Sequence, residues 1–498
     1  MSTFLYQIVL IPLVASPITY LAGRKLAHKT GWVAFTFLLY TTALAFLALF
    51  SIRDGMALVE TYGWAQELGL SIGLRADGLS LPFVLTICIL SAAISIYSIP
   101  YMKHRVGSSS REYGAYFALY LLYSAGMLGA ILSTNLVEFY LFYELMLIPS
   151  YLLIAQWGYG ERERIALMYF LWTHIGALAL LVGIASTYTF THSFDIYAIP
   201  SIIAGEQVSL EFLKWVSLAM FLGFFTKMAV FGLHIWLPHA HAEAPTPISA
   251  LLSPAMIGIG GYATVRITFT FFPDVFEALS VYLAFWALVT IIYGGMMALA
   301  QDDIKRLLAY SSISQMGYIL FGISSQNALG MSGSMFHYVS HGLGKGLLFM
   351  VAGAIILQTN GLRSIKKMGG LASKMPITTL SAIIGFMTIM GAPPLSGFQS
   401  KWMLFTGVFQ NALEHGSSTS LLMALLGMAA TSLTVGYGIW TIKRVFFGQR
   451  LENLENVKEA PLTITLPLLA LTLITVFLGI YPEVITNLLV PTLRSFIP

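Results

Sequence analysis

The chain has 498 residues, 57% of them hydrophobic and 10% charged, with a mean hydropathy of +0.79. Soluble proteins carry roughly a quarter charged residues, and a soluble chain this long would split into domains joined by polar linkers, which are missing here. The composition therefore excludes a soluble multidomain enzyme and describes an all-α polytopic membrane protein. The formal net charge of +4 says less than where the charges fall, and nothing points to nucleic acid. The one cysteine, Cys88, rules out an intrachain disulfide and any cysteine-held iron–sulfur cluster or thiolate zinc site.

A helix needs about 20 apolar residues to cross a bilayer. On that measure about 14 transmembrane helices are predicted, at 4–22, 31–51, 79–101, 114–132, 135–156, 164–190, 213–236, 248–271, 278–300, 304–324, 331–357, 376–410, 419–442 and 461–488. The first run has no basic residues before it and reads as a retained span rather than a cleaved leader.

Loops after odd-numbered spans hold eighteen Lys and Arg residues. Those after even-numbered spans hold Arg53, Arg75 and Lys214, and the tail holds Arg494. The positive-inside rule then puts the odd loops in the cytoplasm and both termini on the outer side, in the plasma membrane of a prokaryotic cell.

Four cations remain inside spans, Lys227, Arg266, Lys345 and Lys401, and Glu144 is the acid placed deepest. A buried charge costs about 2.5–3.5 kcal/mol on insertion scales, so such residues are rare and usually functional. The plainer reading is a salt bridge that only fastens helices.

Three of these cations sit in unusual segments. In FFTKMAVFGLHIWLPHAHAEAPTP, Gly232 and Pro238 interrupt the helix after Lys227. In GAPPLSGFQSKW, Pro393 and Pro394 break the twelfth span ahead of Lys401. Broken backbone survives in lipid only where protein buries it or water reaches it. Interruptions five spans apart predict two inverted five-helix repeats, at 114–271 and 278–446. A three-helix segment (1–103) precedes them and a C-terminal helix (461–488) follows, in one membrane domain over 1–498. In HYVSHGLGK, His337, His341 and Lys345 are four residues apart and so line nearly one helical face. Gly342, Gly344 and Gly346 permit close packing or local unwinding there.

Glu144, Lys227, His337, His341, Lys345 and Lys401 thus form a line of ionisable groups at mid-depth. A lysine that gains and loses a carboxylate partner takes up and releases a proton, and histidine relays near neutral pH. The pattern predicts proton translocation. Other readings are weaker. Two histidines at this spacing could hold a metal or haem, but the His-Glu-x-x-His pattern and further ligands are missing, so no metal or redox site is assigned. His174 reads equally as a core residue or a relay member. His239 and His241 sit at the cytoplasmic mouth with His234 before them. Proton access is their functional reading and turn structure the plainer one. Arg266 either snorkels or pairs structurally.

These residues resemble a known family. FYLFYELMLIPSYLLI, FFTKMAVFGLHIWLPHAHAEAPTPISALL, QDDIKRLLAYSSISQMGYIL, HYVSHGLGKGLLF and GAPPLSGFQSKW look like the antiporter-like subunits of respiratory complex I, most closely the M type (mitochondrial subunit 4), over nearly the whole chain. The resemblance implies fourteen helices with inverted repeats and a water-filled axis. It implies neighbouring antiporter-like and other membrane-arm subunits, and a peripheral redox arm whose partner subunits carry flavin and iron–sulfur clusters. The electron donor is left open among NADH, a reduced deazaflavin, ferredoxin and hydrogen. Glu144 then modulates Lys227, His341 and Lys345 belong to the axis, and Lys401 takes the exit position. Two positions depart from the pattern. Gly258 stands where the family usually has an eighth-span lysine or histidine, and Lys401 where M-type subunits commonly have glutamate. The alternative function is a component of a sodium/proton antiporter without redox coupling.

Overall fold

A computed structural model describes residues 4–52, 56–65, 70–107, 109–449, 451 and 454–497. Arg53 and Arg450 of the sequence-based charge count lie outside the described residues.

Helices α1 (Phe4–Leu26) and α2 (Thr30–Ser51) form a hairpin, followed by β1 (Leu58–Ala65) and β2 (Leu70–Ala76), α3 (Ser80–Val106) and α4 (Ser110–Leu132). The fifth span is two pieces, α5 (Leu136–Leu145) and α6 (Leu147–Trp157), kinked at Met146. Pro149 has no N–H for the Leu145 carbonyl four residues back, which accounts for the kink beside Glu144. Next come α7 (Arg162–Thr191), the short α8 (Ile199–Gly205), α9 (Leu210–Met228), α10 (Trp236–Glu243) and α11 (Thr246–Leu251). The eighth span continues as a π-helical stretch (Leu252–Met256), α12 (Ile259–Ala263) and a second π stretch (Thr264–Phe269). The remainder is α13 (Pro273–Leu299), α14 (Ile304–Ile323), α15 (Ala328–Gln358), α16 (Pro376–Met390), α17 (Ser396–Glu414), α18 (Ser418–Ala429), α19 (Thr431–Phe446), α20 (Leu462–Ile480) and α21 (Glu483–Arg494).

Ten stretches of the described residues are long and apolar enough to cross a membrane, one being Phe4–Ser51, which folds back on itself. The α9/α10 pair, α14 and the α16/α17 pair complete fourteen spans; lysines, hydroxyls and breaks dilute their apolar windows. The protein is a multi-pass membrane protein. Its centre is α15, buried without interruption from Gly330 to Ile356, together with the eighth span. Outer helices such as α7 and α13 expose apolar stripes that include Ile175, Val182, Tyr282 and Phe285.

Several sequence-based boundaries are corrected. The last span ends at Ile480, not 488; α21, past Pro482, is a separate helix with one buried edge, Ile485, Leu489 and Leu493. The break after Lys227 begins at Ala229, in left-handed conformation (φ 54°), ahead of Gly232. Pro238 does not break anything: it sits in the first turn of α10, where a helix tolerates proline. The glycines of α15 serve close packing, not unwinding. A Cβ on Gly342 would meet Thr86 at 2.8 Å, and one on Gly346 would meet Leu90 at 2.6 Å.

The β1–β2 hairpin closes one face of the bundle. Glu60 on β1 accepts the Leu5 and Tyr6 N–H groups at the start of α1 (3.2 and 3.0 Å), and Glu138 accepts from Gly73 (3.1 Å). A carboxylate at a helix N-terminus meets unpaired donors and the positive end of the dipole. On the opposite face, Asp303 caps α14 through the Lys305 and Arg306 N–H groups and pairs with Arg363 at 2.6 Å.

Candidate proton-transfer line

The local sequence places Glu144, Lys227 and Lys401 beside defects in helices, whereas His337, His341 and Lys345 lie in the unbroken α15. Lys227 lies in the last turn of α9, where Trp236 donates to the Thr226 carbonyl (2.9 Å) and holds the broken end together. Lys401, on α17, reaches across its own break to donate to the Ile389 carbonyl at the end of α16 (2.9 Å). A cation there complements a helix C-terminus. Each lysine also faces an aromatic ring, Tyr143 for Lys227 and Tyr318 for Lys401, both at 4.4 Å.

The eleventh-span stripe is in the interior, as the spacing predicts. His337 bonds through Nε2 to Gln315 Oε1, which can only accept, and through Nδ1 to the Ser400 hydroxyl, both at 3.0 Å. Gln315 in turn donates to the Tyr437 hydroxyl (3.3 Å). Lys345 donates to the Leu308 carbonyl (2.9 Å). His341 is fully buried, and neither ring nitrogen has a hydrogen-bond partner among the described residues.

Glu144 and Lys227 form no ion pair or hydrogen bond with each other among the described residues. Glu144 Oε2 accepts from His174 Nδ1 at 2.8 Å, its Oε1 has no partner, and the Lys227 ammonium has none either, among the described residues. Glu144 nonetheless directly follows Tyr143, whose ring Lys227 faces at 4.4 Å. His174, open between a core and a relay role in the sequence, is the residue that packing pairs with Glu144. One histidine in an apolar span gave no sign of the carboxylate that packing brings to it. His239 is exposed on the surface. His234 is tied on both ring nitrogens, to the Gly232 N–H (3.1 Å) and the Tyr293 hydroxyl (3.0 Å). His241 is not a mouth residue: it is wholly buried, stacked on Phe349 (ring centroids 4.8 Å apart), with both nitrogens unpartnered among the described residues.

Lys305, a loop cation by sequence, is fully buried and donates to the Ala244 and Ala242 carbonyls at the end of α10. Arg266 takes the structural alternative. It pairs with Asp77 at 2.5 Å, both side chains being almost wholly buried.

An unsatisfied buried polar atom costs about 1–3 kcal/mol, so native proteins leave few of them dry. Here Glu144 Oε1, Lys227 Nζ and the His241 and His341 nitrogens fall on the candidate line itself. Lys345 and Lys401 each hydrogen-bond one carbonyl although an ammonium carries three donors. The arrangement suits water-linked proton transfer through the bundle interior.

Residues 133–427 match the family described as NADH:quinone oxidoreductase/Mrp antiporter, TM, and residues 64–116 match the complex I chain 5 N-terminus. The chain belongs to the NADH:quinone oxidoreductase/Mrp antiporter family. Among its relatives, F(420)H(2) dehydrogenase subunit M of Methanosarcina mazei is 31% identical over 494 residues, covering 97% of this chain and 96% of that one. NADH-quinone oxidoreductase subunit M of Rhodobacter capsulatus is 32% identical, covering 100% and 97%. A chain of respiratory complex I from Thermus thermophilus shares the fold with a TM-score of 0.87 at 24% identity, over 99% of this chain and 98% of that one. In this chain, position 258 has no room for a side chain with Tyr338 where it stands. A Cβ on Gly258 would stand 2.0 Å from Cδ2 of Tyr338, whose ring stacks on Phe83 at 3.9 Å.

Proposed function

We propose that this chain is the M-type, proton-translocating membrane subunit of a redox-driven, complex I-like oxidoreductase. It moves protons along Glu144, Lys227, His241, His341, Lys345, His337 and Lys401, with His174 as the alternative partner of Glu144. The observation that carries the reading is that Lys227, His241, His341, Lys345, His337 and Lys401 are buried inside the bundle, with Glu144 and His174 half-buried at its edge and unpaired polar atoms along the line. The near full-length likeness to two M-type subunits supports it.

The two partners of Glu144 supply a switch. A buried ammonium keeps its proton beside a carboxylate and gives it up when the carboxylate is drawn away. With Glu144 on His174, as seen here, Lys227 has no counter-ion in contact. Return of the carboxylate to Lys227 favours uptake. Lys305 holds the end of α10, and so His241, on the side where the odd-numbered loops gather. That side is cytoplasmic in this reading, with both termini outside. The two halves, 114–271 and 278–446, act as inverted repeats, each with one broken helix carrying a lysine. The chain supplies no redox centre of its own, and electrons pass through flavin and iron–sulfur partners in a peripheral arm.

Lys227→Ala in the assembled complex is expected to abolish redox-linked proton pumping while leaving assembly intact. Pumping at wild-type stoichiometry would refute the assignment. Sodium/proton exchange without redox coupling is the weaker reading, since hard cations prefer oxygen ligands and Glu144 is the line's one carboxylate.

A further inference from the structure

The charged groups fall into two sets, Glu144, His174 and Lys227 on one side and His241, His341 and Lys345 on the other. The eighth span lies between them and offers no titratable group before Tyr262. Its backbone is in π-helical form over Leu252–Met256, a rare local form that recurs at functional sites. Hydroxyls from three helices converge on this stretch. Tyr169 of α7 reaches the Met256 sulfur (3.5 Å) and also bonds Ser150 (2.8 Å). Tyr338 of α15 donates to the Ala255 carbonyl (3.2 Å), its ring filling the space that Gly258 leaves. Ser312 of α14 bonds Ser253 (2.7 Å).

A fourth hydroxyl completes the set. Tyr123 of α4 is fully buried, yet its oxygen has no hydrogen-bond partner among the described residues. It lies one turn before Gly126, where α4 meets the kink at Met146 beside Glu144, on a helix that also packs against α12 of the eighth span. A buried phenol with no protein partner calls for water on that oxygen.

We propose that Tyr123 is a relay residue: with Tyr169 and Tyr338 it forms a neutral hydroxyl bridge that carries protons between the two charged sets. The proposal rests on the proton-transfer reading above. In each passage the Tyr123 O–H bond breaks as its proton goes to a water on the His341 side. A new O–H bond forms with a proton from a water on the Glu144 side, and the phenol is neutral before and after.

Tyr123→Phe is a clean test because the hydroxyl has no protein bond to lose. In the assembled complex, reconstituted in liposomes and driven by its electron donor, proton translocation is expected to fall about tenfold or more, in the range of a lost proton-transfer group. Assembly and melting temperature should be unchanged, and Tyr123→His should restore part of the rate. Wild-type pumping by Tyr123→Phe beside a dead Lys227→Ala variant would overturn the bridge alone. Failure of Tyr123→Phe to assemble would also overturn it, by revealing a structural bond. If Lys227→Ala pumps normally as well, the underlying reading falls with it.

Discussion

Replacing Lys227 by methionine should silence the subunit and stabilise it. The side chain keeps its length and loses its charge. Carrying an ammonium at mid-depth costs about 2.5–3.5 kcal/mol on insertion scales. Against this, the structure sets one recoverable contact, the Tyr143 ring at 4.4 Å, a cation–π interaction of about 0.5–2 kcal/mol. There is no hydrogen bond to lose, since the ammonium has no partner among the described residues. The balance is a gain of about 0.5–3 kcal/mol, opposite in sign to the usual result of altering a buried residue. Thermal unfolding of the purified complex, followed at this subunit, reads the stability. Dye-monitored proton uptake into liposomes reads the transport. A loss of stability of more than about 1 kcal/mol would show that Lys227 braces helices through a contact the geometry lacks, and the transport argument would fail with it.

The Asp77–Arg266 pair should behave in the opposite way. Asp77→Leu alone leaves a buried guanidinium without its carboxylate and removes the cap on the Leu79 and Ser80 N–H groups, costing about 3–5 kcal/mol; the double change with Arg266→Leu should recover much of it, and equal melting of single and double variants would refute this. Gly258→Ala should destabilise by about 1–3 kcal/mol or more through collision with Tyr338, measured by melting, and an unchanged midpoint would mean that the ring has room to yield. Lys305→Met should cost about 1.5–3 kcal/mol by unfastening the end of α10, and should lower pumping by displacing His241, which separates it in sign from Lys227→Met. Asp302, in the α13–α14 loop, is pushed up by burial, but the Ser364 hydroxyl and Lys366 N–H that it accepts hold it below the usual carboxylate range overall. Its clamp should persist above the ordinary carboxylate pKa and loosen as pH falls through the depressed value, seen as faster exchange of the Lys366 amide.

Much of this was legible in the sequence, for physical reasons. Spans are long apolar runs because lipid admits little else, and Lys227, Lys345 and Lys401 stand out because a charge in such a run is costly. The i, i+4 spacing of His337, His341 and Lys345 fixes a shared face whatever surrounds it. Pairings between distant spans were not legible. Nothing near His174 in sequence points to Glu144, and only packing reveals that Lys305 turns inward to the α10 carbonyls. The β1–β2 hairpin is not legible, although LVETYGWA is rich in β-formers, because a short stretch without clean alternation between long apolar runs reads as a loop. Pro238 misled for the converse reason: proline reads as a break unless its place in the first turn is known.

Burial alone does not separate the charges that move protons from those that hold the fold. Arg266 and Lys227 are equally hidden, and both lie against aromatic rings. They differ in satisfaction. Arg266 is locked to Asp77 at 2.5 Å and bonds the Tyr262 hydroxyl, so neither its proton nor its position has freedom. Lys227, His241 and His341 are buried just as deeply but lack protein partners among the described residues. A polar atom left without a fixed protein partner is free to take a water and exchange a proton with it, whereas a group that must hold two helices cannot be left loose. On this criterion Tyr123 sorts with the transport residues, although it carries no charge, while Arg266 sorts with the frame.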